Sequence, residues 1–314
     1  MPSNSEQAVN ASAVTHLVLT CDESGAKGYA DRDEETIGET GVFAGILTPG
    51  EILETAQQVF DATAERYTPD DGKLHITDLE PEDQKALRDE IFALIREYRL
   101  PCFYEAIHVA GFHRVHETMA EATENARAAR RSRIRLSGNR PRTSSLHSAL
   151  FQGLYAKVLA FCMEREKYRI SLEVRTDRVD SPIVRSFERE AAALLDYGAQ
   201  IERVTGYDPV TGNVVEGEIR TGNVNPEDQL PIVVEELAIK TVDDSDGLIV
   251  AADILANSLN YHFRSRPEEQ KFRDLNHPEA FLGHPLSDCI DAFLDWGAFD
   301  LSDTLYPHPL NPDR

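Results

Sequence analysis

Apolar positions along this chain follow two alternating periods, and their order predicts an α/β fold. Residues 16–21, 42–47 and 102–109 are β-rich apolar runs bounded by turn residues, as strands require. Residues 169–176 alternate cleanly, with Ile170, Leu172, Val174 and Thr176 on one side and Arg169, Ser171, Glu173 and Arg175 on the other. That pattern is a half-buried strand, and 232–242 reads as another. Helical spacing occupies the intervals: 51–67 (Ile52, Ala56, Val59 and Phe60 on one face), 80–98, 113–135, 146–167 and 183–197. A further helix at 248–263 follows the helix-starting run Asp243-Asp244-Ser245-Asp246-Gly247, and a short one at 286–294 is expected in a proline-rich tail. Residues 200–206 and 213–220 flank Tyr207-Asp208-Pro209-Val210-Thr211-Gly212, the signature of a hairpin turn. With no internal repeat and no sharp linker, the expected organisation is one α/β domain over 14–265. It carries a hairpin insertion near 200–220 and is flanked by a disordered tail at 1–13 and a C-terminal extension at 266–314.

Composition narrows the class. The 314 residues, 41% hydrophobic and 28% charged, suffice for one large core. The polar opening residues lack a basic start followed by an apolar run, no stretch reads as a membrane span, and no membrane association is expected. Cys21, Cys102, Cys162 and Cys289 are scattered without a CxxC pair. A disulfide framework or thiolate zinc site is therefore not expected, and a reducing cytoplasm fits. The net charge of −23 works against non-specific attraction to nucleic acid. One segment departs from it. Residues 127–142 hold seven arginines (Arg127, Arg130, Arg131, Arg133, Arg135, Arg140 and Arg142) and no acid. A solvated arm and a phosphate-gripping arm are both open readings; the planar guanidinium suits phosphate.

Three acids stand at telling places. Asp22 ends the first strand, Asp177 ends the alternating strand, and Asp253 lies within the last long helix. Carboxylates at the ends of neighbouring parallel strands, with one more from a covering helix, can gather hard cations such as Mg²⁺ or Mn²⁺. Glu23 and Asp180 are near enough in sequence to add ligands. Each residue alone has an ordinary reading. Asp22-Glu23-Ser24-Gly25 can be a simple turn, and Asp177 a loop acid beside Arg175 or Arg178. Asp253 can be part of a solvated helix face with Asp246, Asn257, Asn260 and Arg264. His75, beside Lys73, can assist at a phosphate or be merely structural. His113 and His116 share a helix face without a third ligand and read as surface residues. No P-loop is present, and Ser144 and Ser145 near His147 form no nucleophile elbow.

Taken in order, these motifs resemble a large bacterial family, domain of unknown function 3800. An apolar strand running into Asp22-Glu23-Ser24-Gly25 resembles its opening signature, and Lys73-Leu74-His75 ahead of a helix its second landmark. Asp244-Ser245 followed by Leu248-Ile249-Val250-Ala251-Ala252-Asp253 resembles its closing one. The resemblance covers about 16–264. It departs where Val250 stands in place of a frequent glutamine, and in the hairpin and arginine segments. It implies an RNase H-like mixed sheet with helices on both faces and metal positions at Asp22, Asp177 and Asp253. It also implies an association with mobile elements or phage defence. The resulting expectation is a Mg²⁺- or Mn²⁺-dependent nuclease acting on RNA or DNA. Glu23 would be an auxiliary ligand, His75 and Lys73 would act at the phosphate, and the arginines from Arg130 to Arg142 would grip the backbone. The alternative is a non-catalytic scaffold or sensor, whose acidic surface suits a protein partner or a second copy of the chain. A third reading, hydrolysis of a small phosphorylated metabolite, needs the same metal but no arginine arm.

Overall fold

The computed structural model describes residues 13–69, 74–129, 135–137, 145–177, 181–195, 200–208, 210–221, 230–243, 245–293 and 301–314. In chain order the elements are β1 (Thr15–Gly25), β2 (Thr40–Pro49), α1 (Leu53–Glu65), α2 (Pro81–Glu97), β3 (Cys102–His108), α3 (Val109–Ala129) and β4 (Arg135–Ser137). Then come α4 (Leu146–Glu164), β5 (Arg169–Thr176), α5 (Ser181–Leu195), β6 (Gln200–Tyr207), β7 (Val214–Thr221), β8 (Val233–Thr241), α6 (Gly247–Arg264) and α7 (Leu301–Leu305).

The main sheet has the order β3-β2-β1-β5-β8. β1, β2 and β3 run antiparallel as a meander, and β1, β5 and β8 run parallel. Side-chain alternation divides the core into two layers. Val42, Ala44 and Ile46 face α1, α2 and α6. Leu17, Leu19, Cys21, Phe43, Ile170, Leu172 and Val174 face α4 and α5 on the opposite side. A second sheet, β4-β6-β7, contains the expected hairpin. Its turn closes through Asp208 N–H donating to Asn213 O at 2.9 Å, with Gly212 at φ +73°. All four cysteines are free thiols.

α4 is apolar on nearly all sides, which fits a helix enclosed by protein. It is the one described helix long and apolar enough to span a bilayer, but 67% of that stretch is buried within the fold. At its centre Lys157, only 2% exposed, donates to Tyr104 O at 2.5 Å and to Asp291 Oδ2 at 2.9 Å. Glu105 Oε2 lies 3.3 Å from the same ammonium. The chain beyond α6 covers the otherwise open edge of β3, where unpaired strand groups would invite association. The Asn276 carboxamide imitates a strand, accepting from Ala106 N at 3.0 Å and donating to Ala106 O at 2.8 Å. Asp291 N–H donates to Cys102 O at 2.7 Å.

Three expectations are corrected. The first strand does not stop at Cys21 but continues to Gly25, because β2 pairs with it that far. Arg135 is not helical: α3 ends at Ala129, and Arg135 pairs with Tyr207 in the second sheet. Residues 286–293 form turns rather than a helix, since Ile290 bridges to Cys102 and the β3 edge claims their backbone.

Two deeply buried histidines make acid stability predictable. Burial drives His108 and His284 down to about 4. His284 Nδ1 accepts from Leu286 N at 3.1 Å while Nε2 meets Ser258 Oγ at 3.0 Å, an arrangement that suits the neutral ring. A depressed folded-state pKa gives stability that is complete above the unfolded value, near 6.5, and is lost as pH falls through about 4. Denaturant titrations at pH 7 and pH 4.5 should therefore differ by about 2.5 kcal/mol per histidine. His284→Gln should flatten the pH dependence by that share, and an unchanged profile would refute the assignment.

Candidate functional site

The two neighbours of β1 part company near its carboxyl end. Parallel pairing with β5 stops at Cys21 opposite Thr176, whereas antiparallel pairing with β2 persists to Gly25 opposite Gly41. Asp22 and Asp177 are the next residues on the two parting strands. Cys21 and Val174 point into the α4 layer, so alternation places Asp22 and Asp177 on the other face, beneath α6. The parting of strands leaves a gap in the pairing at this end, and both carboxylates sit beside it.

α6 brings the third acid to this end of the sheet. Its first turn is fixed by Asp246, which caps Leu248 N at 2.9 Å and Ile249 N at 3.2 Å, and by Asp61, which accepts from Gly247 N at 2.7 Å. Two turns beyond Asp253, buried Asn260 donates to Ser24 Oγ at 3.2 Å and accepts from Thr40 Oγ1 at 3.2 Å. This face of α6 is thus stitched to the end of β1 rather than solvated. Gly25, at φ +85°, could not carry a side chain here, since a Cβ would stand 2.4 Å from Thr40 O. Along Asp22-Glu23-Ser24-Gly25 the four residues therefore supply, in turn, a charge, a paired charge, a helix anchor and a close approach of backbone.

The electrostatics record the convergence. Burial first, then the carboxylates of Glu23, Asp253 and Asp177, push Asp22 up to about 8, against a single opposing bond from Glu23 N at 2.8 Å. Asp253 is also raised, by burial and by Asp177 and Glu23, with His75 pulling the other way. Asp22, Glu23, Asp177, Asp253 and His75 therefore share one electrostatic site. Lys73, Asp180, Arg130, Arg131, Arg133, Arg140 and Arg142 lie outside the described residues, and Arg135 is described only as backbone.

Two participants escaped sequence reasoning. Lys27 Nζ lies 2.6 Å from Glu23 Oε1, and His147 Nε2 lies 3.6 Å from Glu23 Oε2. Burial opposes ionisation of Glu23, yet His147 and Lys27 pull its carboxyl below the usual range; burial lowers His147 as well, so at neutral pH Lys27 is the charged partner. His147 is 9% exposed and packs edge-on against Phe43 and Phe187, at 5.3 and 5.1 Å between ring centres. Lys27 sat four residues from Glu23 in an apparently ordinary loop. His147 lay in a helix start whose neighbours gave no chemical signal. His113 and His116, expected on the surface, are half-buried: His113 Nδ1 lies 2.7 Å from Ala30 O, and His116 stacks on Tyr306.

Among the described residues, no group of three His, Cys, Asp or Glu side chains stands ready-formed around a cation position. The donor chemistry nevertheless suits one, because Asp22, Asp177 and Asp253 offer only hard carboxylate oxygens and repel one another where they are. No protein-family model matches the chain, and no match was found among curated proteins.

Proposed function

We propose that this chain is a Mg²⁺- or Mn²⁺-dependent nuclease on an RNase H-like sheet, related to the domain of unknown function 3800 proteins. The observation that carries it is the placement of Asp22 and Asp177 one residue beyond the last parallel pair of β1 and β5, electrostatically joined to Asp253 of α6. A meander followed by two parallel strands, with helices on both faces, supports the fold assignment.

Asp22, Asp177 and Asp253 would hold the cation, which when bound supplies an activated water and neutralises charge on the scissile phosphate. Glu23, held through one oxygen by Lys27 and approached by His147, adds negative charge to the site. Lys27 offers an accessible ammonium beside the carboxylates, where a phosphate oxygen can be met. His75, coupled to Asp253, would return a proton to the leaving oxygen. Lys73 and the arginines of 127–142 would grip the backbone, a role that rests on their charge. Action in the cytoplasm, in phage defence or a mobile element, belongs to the same reading.

Calorimetric titration with Mn²⁺ tests it. The parent protein should release or absorb heat on binding, and Asp253→Asn should weaken that binding by roughly tenfold or more. A parent that takes up no Mn²⁺ would favour the non-catalytic scaffold.

A further inference from the structure

A cleft of about 640 Å³ opens on the α4 side of the main sheet, between α3, α4, α5 and the segment around α7. Its size falls within the roughly 300–1,000 Å³ of ordinary ligand sites. Chain connectivity ties it to the two residues that flank Glu23. Tyr29, on its rim, follows two residues after Lys27, and Ser148, on its floor, follows directly after His147. Leu146 N donates to Gly28 O at 3.0 Å, and Tyr29 bridges to Ser145, so the two walls are held together at this junction.

The lining combines flat aromatic surface with paired polar groups. Tyr29 is 59% exposed, so much of its ring is open to a ligand. Tyr306 is supported from behind, lying nearly parallel to His116 at 5.9 Å and edge-on to Phe112 at 5.0 Å. On the α4–α5 side the Ser148 and Ser186 hydroxyls meet at 2.7 Å, and Arg189 Nη2 donates to Ser186 Oγ at 2.9 Å. Arg189 is countered by Glu190 at 3.1 Å and by Asp31 in the same lining, so the cleft carries no surplus positive charge for a phosphate. Acids, hydroxyls and a guanidinium around aromatic faces suit instead the edge and faces of a heterocyclic base.

The geometry points to a nucleobase-binding subsite: the cleft accepts an unpaired base of a nucleic acid single strand. Tyr29 supplies a stacking face, while Ser148, Ser186 and Glu190 read the polar edge. A base inside a duplex cannot reach such a pocket without leaving its stack, so the site selects single strands. This assignment rests on the nuclease reading for the identity of the chain but not for its test, which needs neither metal nor cleavage.

Fluorescence anisotropy in EDTA with short labelled single strands of RNA and of DNA, and with their duplexes, decides the matter. Tyr29→Ala should weaken single-strand binding about tenfold, Tyr29→Phe should retain it, and duplex binding should be unchanged by either. Ser186→Ala should alter the preference among homopolymers without abolishing binding. Competition by free nucleoside monophosphates that disappears in Tyr29→Ala would also support a base site, with a free nucleotide as its source. If Tyr29→Ala and Ser186→Ala, both folded by circular dichroism, bind single strands and monophosphates as the parent does, the subsite does not exist. That result would leave the Mn²⁺ titration, and the nuclease reading it tests, untouched.

Discussion

Asp22→Asn is expected to lower metal-dependent cleavage of nucleic acid by about 10²–10³-fold, the scale of losing one well-placed electrostatic group at a reacting phosphate. It should do so while making the metal-free protein more stable. Asp22 is crowded by Glu23, Asp253 and Asp177 in a partly desolvated setting, and its carboxyl is pushed up to about 8 as a result. The amide keeps the shape and cannot ionise, so it escapes the burial and repulsion that set ionisation of the acid against folding. Thermal unfolding in EDTA should therefore place Asp22→Asn above the parent. Added Mn²⁺ should raise the parent's Tm and leave the variant's nearly unchanged, since only a binding-competent site gains stability by mass action. A carboxylate held for structure would show the opposite sign in EDTA. Undiminished cleavage by Asp22→Asn would remove it from the chemistry altogether.

Lys157→Met is expected to be the most destabilising single change outside the site, by about 3–5 kcal/mol. The ammonium is buried on α4, where it joins Tyr104 O, Glu105 and Asp291. Burial works against its charge, but Asp291 and Glu105 outweigh that and raise Lys157. Glu105 in turn is pushed up to about 7 by burial, with Lys157 opposing the rise. A methionine fills similar space and strands two acids without their counter-ion. Urea denaturation should register the loss, and adding Asp291→Asn to Lys157→Met should recover part of it. Because Asp291 also bonds to β3, loosening of residues 266–293 by hydrogen exchange should accompany the drop. A Lys157→Met protein as stable as the parent would mean that the extension is held without this ion pair.

The alternation of Arg169–Thr176 was legible in full, because a strand with one face on α4 and one away from it must repeat every second residue. Asp246 as a helix cap was equally legible, since the cap is a local bond between a side chain and the backbone beside it. The turns at 286–293 were not. Their apolar spacing was compatible with a helix, and only the unpaired edge of β3, remote in sequence, made the extended and turned path better. His147 and Lys27 were hidden for the same reason: what matters about them is their distance to Glu23, which no spacing rule encodes.

Local periodicity and short motifs by themselves determined the α/β class, the strands that carry Asp22 and Asp177, and the helix that carries Asp253. Whether those acids meet was a question of register. A shift of one residue between β1 and β5 would turn one carboxylate to the α4 face, and a rotation of α6 would leave Asp253 in water. The tertiary structure brought them within electrostatic reach of one another through the pairing of Cys21 with Thr176 and the bond from Asn260 to Ser24. Both join residues far apart in the chain, and the free energy that selects them belongs to the assembled core rather than to any one segment.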